Sequence, residues 1–331
     1  MKRLTRGIIH LALAAVLLWE VLALSQLPIL RAEVRWVLAL AVAGFGIWAL
    51  WITPMRWPKG VAVALFIVCG IVWASVRPSL DRPWRPEVAV MPRVQIDGDR
   101  ITVSGVRDFD YRSTEDFTKR YVTRQLLLSQ LESVDFFISY WKMGPVAHTF
   151  LSFNFKNEEP LSISIETRPQ IGQGYDPLAS LFRHFELIYV VGQERDLVRV
   201  RTNFRDEEVF LYRTTMSPEA ARNLFKVYAE RINELATTPE FYHLLSNSCT
   251  INIVRYANRI GRVGSLDIRL ILNGWSDRYL FRTGGIDTSM PFEELRERSH
   301  INAAAQAADK AQDFSRRIRV GLPDPLRSSS P

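Results

Sequence analysis

The residues best suited to chemistry are one cysteine and one histidine that lie far apart in the sequence. Cys249 follows Asn247 and Ser248 in a polar turn, directly before an amphipathic stretch (251–260) that ends at Gly261. The start of a helix carries partial positive charge that stabilises a thiolate, and its free backbone N–H groups can hold an oxyanion. Cys249 is therefore a candidate nucleophile.

A thiol nucleophile needs a base, and the base needs a third group that orients it. His148 is the best candidate base, because it lies among small polar residues on the first strand of a predicted hairpin (146–155 and 161–168). Side chains alternate between the two faces of a strand, so a suitable turn register places Glu166 beside His148, whereas a slip of one residue separates them. Asn154 is the alternative orienting group. The side chains expected to support the site are Asn247, Thr250, Ser152, Asn154 and Arg168.

Residue types and spacing alone favour a packing or surface role for such a Cys–His pair over catalysis. A run of charged residues from Glu186 to Arg201 could serve acid–base chemistry, but a structural network of ion pairs is the more common outcome. The sequence has no zinc-ligand spacing, no Gly-rich phosphate loop and no G-x-S-x-G motif. We therefore expect no cofactor and no metal.

Three long apolar runs near the N-terminus (8–27, 34–52 and 61–76) meet or nearly meet the roughly 20 residues that a helix needs to span a bilayer. Cations flank these runs at Lys2, Arg3, Arg6, Arg56 and Lys59, which places the N-terminus in the cytoplasm. The sequence thus predicts a multi-pass protein of the inner or plasma membrane whose remaining chain lies outside the cytoplasm. Glu20 lies within the first run, and we interpret it as an interfacial or helix-bonded carboxyl.

Composition divides the chain into four regions. We predict an anchor (1–76), a proline-rich linker (77–92), an α+β domain (93–320) and a disordered tail (321–331). Predicted strands cover 94–103 around a turn, 134–141, the hairpin above, 187–191, 197–202 and 209–213, with helices at 218–235, 251–260 and 293–318. The net charge is +7, but the cations flank apolar runs or alternate with acids, so nucleic-acid binding is not expected.

Several separate blocks resemble one protein family. The stretches 106–112, 147–153, 163–168, 185–196, 247–250 and 313–319 are similar, in order, to the DUF4105 family, also called the Lnb N-terminal periplasmic domain. The family includes a lipoprotein transacylase that moves an acyl chain from lipid glycerol to an N-terminal amine. The order of His before Cys also resembles permuted papain-like thiol enzymes of the NlpC and lecithin:retinol acyltransferase group, which implies an antiparallel sheet with packed helices.

The resemblance implies that Cys249 is the nucleophile, His148 the base and Glu166 their orienting group. Ile251 stands where the family often has a second Thr, which weakens an oxyanion role for Thr250. The expected activity is thiol-dependent acyl transfer from a membrane lipid or lipoprotein. Two alternatives remain open at this point: a cysteine hydrolase of envelope peptides, and a non-catalytic envelope protein that binds or scaffolds a partner. Oligomeric state is not predicted.

Overall fold

A computed structural model describes residues 2–261 and 267–325 and divides the chain into two compact units. The first unit holds residues up to Ser79 with two later segments, Gly174–Glu186 and Glu240–Leu244. The second unit holds the rest of the chain and contains every candidate catalytic residue. The linker and tail boundaries given above stay predictions, and most of the predicted tail (326–331) lies outside the described residues.

The first unit contains three helices long and apolar enough to cross a membrane, as the sequence predicted: α1 (Lys2–Ser25), α2 (Ala32–Ile47) and α3 (Trp57–Ser75). One π-helical turn, Trp48–Ile52, extends α2. Small residues let the helices approach closely, since a Cβ on Gly46 would lie 2.5 Å from Leu17. Phe182, from the first of the two later segments, packs on Ala23 and Cys69.

The second unit is built on an eight-stranded sheet with the order β1-β2-β9-β8-β7-β6-β10, in which β5 also pairs with β2. The strands are β1 (Arg93–Asp97), β2 (Arg100–Arg107), β3 (Asp110–Tyr111), β4 (Phe117–Thr118), β5 (Tyr121–Leu127), β6 (Leu131–Tyr140), β7 (His148–Phe155), β8 (Leu161–Arg168), β9 (Glu186–Gly192) and β10 (Glu208–Arg213). A separate pair is formed by β3 and β4. The α+β class is confirmed, but the sheet is mixed rather than wholly antiparallel, because β9 returns parallel to β2 after a long connection.

Helices cover both faces of this sheet. They are α4 (Glu194–Leu197), α5 (Pro218–Leu235), α6 (Cys249–Ile260), α7 (Ile268–Ile271), α8 (Ser276–Arg282), α9 (Phe292–Arg298), α10 (Asn302–Ala307) and α11 (Phe314–Arg317). Ser217 caps α5 by accepting a hydrogen bond from the Ala220 N–H. Phe153 of β7 packs edge-on against Phe225 of α5.

The opposite face of β7 is buried as well. Phe150 stacks on Phe137 at 4.7 Å and lies in a core cluster with Ile301 and Phe314 from the C-terminal helices. The sheet therefore lies between α5 and α6 on one side and the C-terminal helices on the other. Because both faces are covered, the polar face predicted to border a cleft reaches a site only at the His148 end of β7.

Three segments differ from the predicted secondary structure. Apolar and polar residues alternate in the stretch 197–202 as they do in a strand. It nevertheless forms the end of α4 and a π-helical turn (Val200–Phe204), because its two arginines are held in ion pairs. The stretch 107–124, for which the sequence predicted no strand, contains β3, β4 and the start of β5. The single helix predicted at 293–318 is three short helices, α9 to α11, which wrap the core.

Candidate active site

Cys249 is the first residue of α6, two positions earlier than the sequence predicted. Ser248 precedes it in an extended conformation (φ −97°, ψ 174°) and supplies no side-chain cap to the helix. The first backbone N–H groups of a helix have no acceptor within it, so this end of α6 offers donors beside the sulfur. The Cys249 side chain is 2% exposed, which protects the thiol from solvent.

The side chains of Asn273 and Thr250 both contact the sulfur. Nδ2 of Asn273 lies 3.6 Å from Cys249 Sγ, and Oγ1 of Thr250 lies 3.8 Å from it. The Thr250 hydroxyl is also hydrogen-bonded to the hydroxyl of Thr149 on β7, at 2.8 Å. This bond joins the start of α6 to the strand that carries His148.

His148 is tied to β8 through its Nε2 atom. That nitrogen lies 2.7 Å from Ser164 Oγ, and the Ser164 hydroxyl donates in turn to Glu166 Oε1 at 2.7 Å. A hydroxyl has one proton to donate, so Ser164 must accept from His148 Nε2–H. The network therefore assigns the proton to Nε2 and leaves Nδ1 as the basic nitrogen.

Glu166 lies beside His148, as the predicted register requires. Its Oε1 is 3.7 Å from His148 Nε2, and β7 pairs with β8 in the register Phe150↔Ser164. Arg201, from the turn after α4, donates to the same carboxylate oxygen at 2.9 Å and lies 5.0 Å from the ring of Phe150. Arg201 is 4% exposed, so this ion pair is largely shielded from water.

The electrostatics of the site favour a thiolate. Burial alone would raise the pKa of Cys249, but the hydrogen bond and charge of His148, with hydrogen bonds from Thr149, outweigh it and lower the pKa from 9.0 to about 6. Burial also acts to raise the pKa of Glu166, yet the charges of Arg201 and His148 lower it from 4.5 to about 2. A thiol with a pKa of about 6 is largely ionised at neutral pH.

Asn273 joins the two halves of the site. Its Oδ1 accepts from the Ala147 N–H at 2.9 Å, and its Nδ2 donates to the Ala147 carbonyl at 2.6 Å. Ala147 directly precedes His148, so one amide side chain holds the strand of the base and contacts the nucleophile. Gly274 allows this approach, because a Cβ there would collide with the Gly144 carbonyl.

Four of the predicted supporting residues have hydrogen-bond partners other than Cys249, His148 and Glu166. Ser152 is bonded to Ser162 within the sheet, at 2.6 Å, and Asn154 contacts Ser133 and Arg319. The Arg168 guanidinium donates to the carbonyls of residues 88 and 89. Asn247 accepts from Asn252 inside the turn and helix. Strand alternation placed Ser152, Asn154 and Arg168 on the right face but could not show that only one end of that face is open.

The structure adds three residues that the sequence did not single out: Ser164, Asn273 and, as part of the site, Arg201. Of these, Ser164 had a signal, because it lies on the same strand face as Glu166, two positions earlier. The rest of the charged run is a buried ion-pair network. Arg107 forms a bidentate pair with Asp196 at 2.9 and 2.7 Å, and Glu194 binds Arg319.

Exposed apolar side chains lie on the two segments that meet at Asn273. The loop before His148 and the stretch around α7 contact each other through the Gly274 N–H and the Pro145 carbonyl, at 2.9 Å. The exposed apolar residues on these segments are Trp141, Met143, Val146, Ile268, Ile271 and Trp275. Within residues 2–261 and 267–325, no group of three His, Cys, Asp or Glu side chains is arranged to hold a metal ion.

The family relationship agrees with this geometry. Residues 117–274 match the model of the Lnb N-terminal periplasmic domain, a range that contains Cys249, His148, Glu166 and Asn273. No curated protein and no solved structure matches the chain. Three apolar helices precede this domain. Residues 117–274 therefore match the Lnb N-terminal periplasmic domain (DUF4105) family, and the chain is a membrane-associated protein with a periplasmic domain.

Proposed function

We propose that this protein is a membrane-anchored, thiol-dependent acyltransferase that acts on the ester of a membrane lipid or lipoprotein. The observation that carries the proposal is the arrangement around Cys249. A thiol at a helix start interacts with an imidazole whose other nitrogen is held by Ser164 and Glu166. This is the geometry that an activated nucleophile and its oriented base require. We also propose that α1, α2 and α3 cross the inner membrane, with the N-terminus in the cytoplasm.

In the first half of the reaction, the Cys249 thiol gives its proton to His148 Nδ1, and the thiolate attacks the ester carbonyl. The oxyanion that forms beside the sulfur is within reach of backbone N–H groups at the start of α6 and of the Asn273 Nδ2 group that contacts Sγ at rest. The C–O bond then breaks, and His148 returns the proton to the departing alcohol. The product is an S-acyl enzyme.

In the second half, an amine attacks the thioester carbonyl and loses a proton to His148. The C–S bond breaks, the amide leaves, and the thiolate is restored. Glu166 stabilises the imidazolium that forms twice in this cycle, while Arg201 keeps that carboxylate ionised and in place. Glu166 thus acts through His148 and needs no contact with the substrate.

The apolar side chains flanking the site favour an acyl substrate over a peptide. Trp141, Met143 and Val146 precede His148, and Ile271 and Trp275 flank Asn273, all of them solvent-exposed. A polar, open groove would be expected of an enzyme that binds extended peptides. The interaction of His148 with Cys249 also argues against a purely scaffolding domain, for which the two need not meet.

Trapping the acyl-enzyme tests the proposal. The full chain in detergent is incubated with the para-nitrophenyl ester of palmitic acid and, separately, with a para-nitroanilide peptide, then quenched in acid. Mass spectrometry should find the palmitoyl mass on the peptide that contains Cys249, removable by hydroxylamine, and none on Cys69, which serves as an internal control. The adduct should be absent from His148→Gln. A peptide adduct without a palmitoyl adduct would favour the hydrolase, and no adduct with either probe would contradict catalysis.

A further inference from the structure

The helix bundle contains a cavity with a carboxyl group at one end. The cavity lies between α1, α2 and α3 and is open on one side. The empty space within it and at its opening is ≈ 470 Å³. Glu20 is the one ionisable residue that lines it, and the other wall residues are apolar. A charged side chain within a membrane-spanning bundle is costly, so such residues usually have a partner.

The structure provides no such partner for Glu20 within the described residues. Its side chain is 4% exposed, and its Oε1 atom is buried with no hydrogen-bond partner there. The interpretation of Glu20 as a helix-bonded carboxyl is therefore not supported. A carboxyl group in apolar surroundings either stays protonated or pairs with a cation, because an uncompensated carboxylate there is costly.

The position of Glu20 along the bundle limits what the partner can be. Glu20 lies five residues before the end of α1 at Ser25, about 7.5 Å along the axis at 1.5 Å per residue. This is the end at which α3 also finishes, since Ala23 and Cys69 share one cluster with Trp73. The α1 residues that line the cavity extend from Glu20 away from that end to Leu13, a distance of about 10 Å along the helix.

We propose that this cavity binds a lipid that carries a primary ammonium head group. The ammonium group pairs with Glu20 near the end of the bundle that leads into the periplasmic domain, and an acyl chain follows the apolar wall towards Leu13. The site is separate from Cys249, and the inference does not depend on the acyl-transfer proposal.

Competition between two lipids with identical chains tests this site. The full chain is equilibrated with equal amounts of dioleoyl phosphatidylethanolamine and dioleoyl phosphatidylglycerol, and native mass spectrometry counts the lipids that stay bound. The unmodified protein should retain the ethanolamine lipid roughly tenfold over the glycerol lipid, the effect of one charge-assisted hydrogen bond. Glu20→Gln should remove that preference, because glutamine keeps the shape but not the charge.

Two further variants separate the site from general charge and packing effects. Glu33→Gln makes the same charge change at an exposed position in the first turn of α2 and should keep the preference. Val42→Trp fills the cavity while Glu20 remains, and it should reduce binding of the ethanolamine lipid to the level of the glycerol lipid. Unchanged protection from alkylation of Cys69, which is buried in the same unit as Glu20, shows that the helix bundle of each variant is folded. Equal retention of both lipids by the unmodified protein, or a preference that persists in Glu20→Gln, would overturn the proposal.

Discussion

The two cysteines of this chain are both buried, yet their surroundings differ completely. Cys69 lies in the middle of α3, 7% exposed, in a cluster with Ala23 and Phe182. Cys249 is 2% exposed, but it begins a helix and contacts Asn273 and Thr250. Burial by itself makes a thiol inert. What makes a buried thiol reactive is the set of donors and charges that stabilise its ionised form.

The largest expected effect distinguishes the two thiols directly. Cys249→Ser should reduce acyl transfer by at least about a thousandfold, because the reaction loses its nucleophile. Cys69→Ser should keep near-normal activity, since it lies in another unit and contacts apolar side chains. Initial rates of ester consumption by the purified full chain measure both. Equal loss in the two variants would show that the contrast between the thiols has no functional meaning.

Removing the base should make Cys249 resemble an ordinary buried thiol. In His148→Gln the pKa of Cys249 should rise from about 6 to beyond 9.0, because burial raises it and the opposing charge is gone. At pH 7 the thiolate fraction should fall at least about ninetyfold, and the rate of alkylation by iodoacetamide should fall with it. The rate is followed against pH by mass spectrometry.

A matched histidine provides the control for this measurement. His184 lies in the first unit, where it contacts the Gln26 carbonyl. His184→Gln should therefore leave the alkylation profile of Cys249 unchanged. A midpoint that stays near 6 in His148→Gln would show that the helix start alone stabilises the thiolate.

Asn273 should matter for the rate more than for binding. Asn273→Ala removes one donor beside the forming oxyanion, so kcat should fall by about a hundredfold while KM changes little. Asn247→Ala is the matched control, because it removes the same amide group from a side chain whose Oδ1 accepts from Asn252 Nδ2. Steady-state kinetics with the para-nitrophenyl ester separate the two constants. A rise in KM at constant kcat would assign Asn273 to substrate binding.

The smallest expected effect concerns stability in acid. Glu166 has a pKa of about 2 in the folded protein, below its ordinary value of 4.5, so the unfolded chain binds this proton more tightly. Its contribution is therefore complete above pH 4.5 and is lost as the pH falls towards 2, by about 3 kcal/mol at most. Urea unfolding at several pH values should show a shallower acid loss in Glu166→Gln. Parallel curves for the variant and the unmodified protein would contradict the ion pair with Arg201.

Much of the fold follows from local sequence patterns. The three apolar runs form α1 to α3, and the turn-linked alternation of 148–155 and 161–168 forms β7 and β8 in the register that brings Glu166 to His148. Ser217 and Pro218 open α5 as their types predict. The stretch 197–202 was predicted wrongly, because the ion pairs of Arg199 and Arg201 override the β-propensity of its valines.

The sequence by itself determined the residue types. It also determined on which face of a strand, or at which helix start, neighbouring side chains lie. It therefore led to Cys249, His148 and Glu166, whose signals are local. Only the tertiary structure decided that Asn273 reaches both Ala147 and the sulfur and that Arg201 pairs with Glu166. It also decided that Ser152 and Asn154 hydrogen-bond to side chains other than those of the site. These contacts join segments far apart in the chain, and they depend on how whole helices pack on the sheet, which no local pattern encodes.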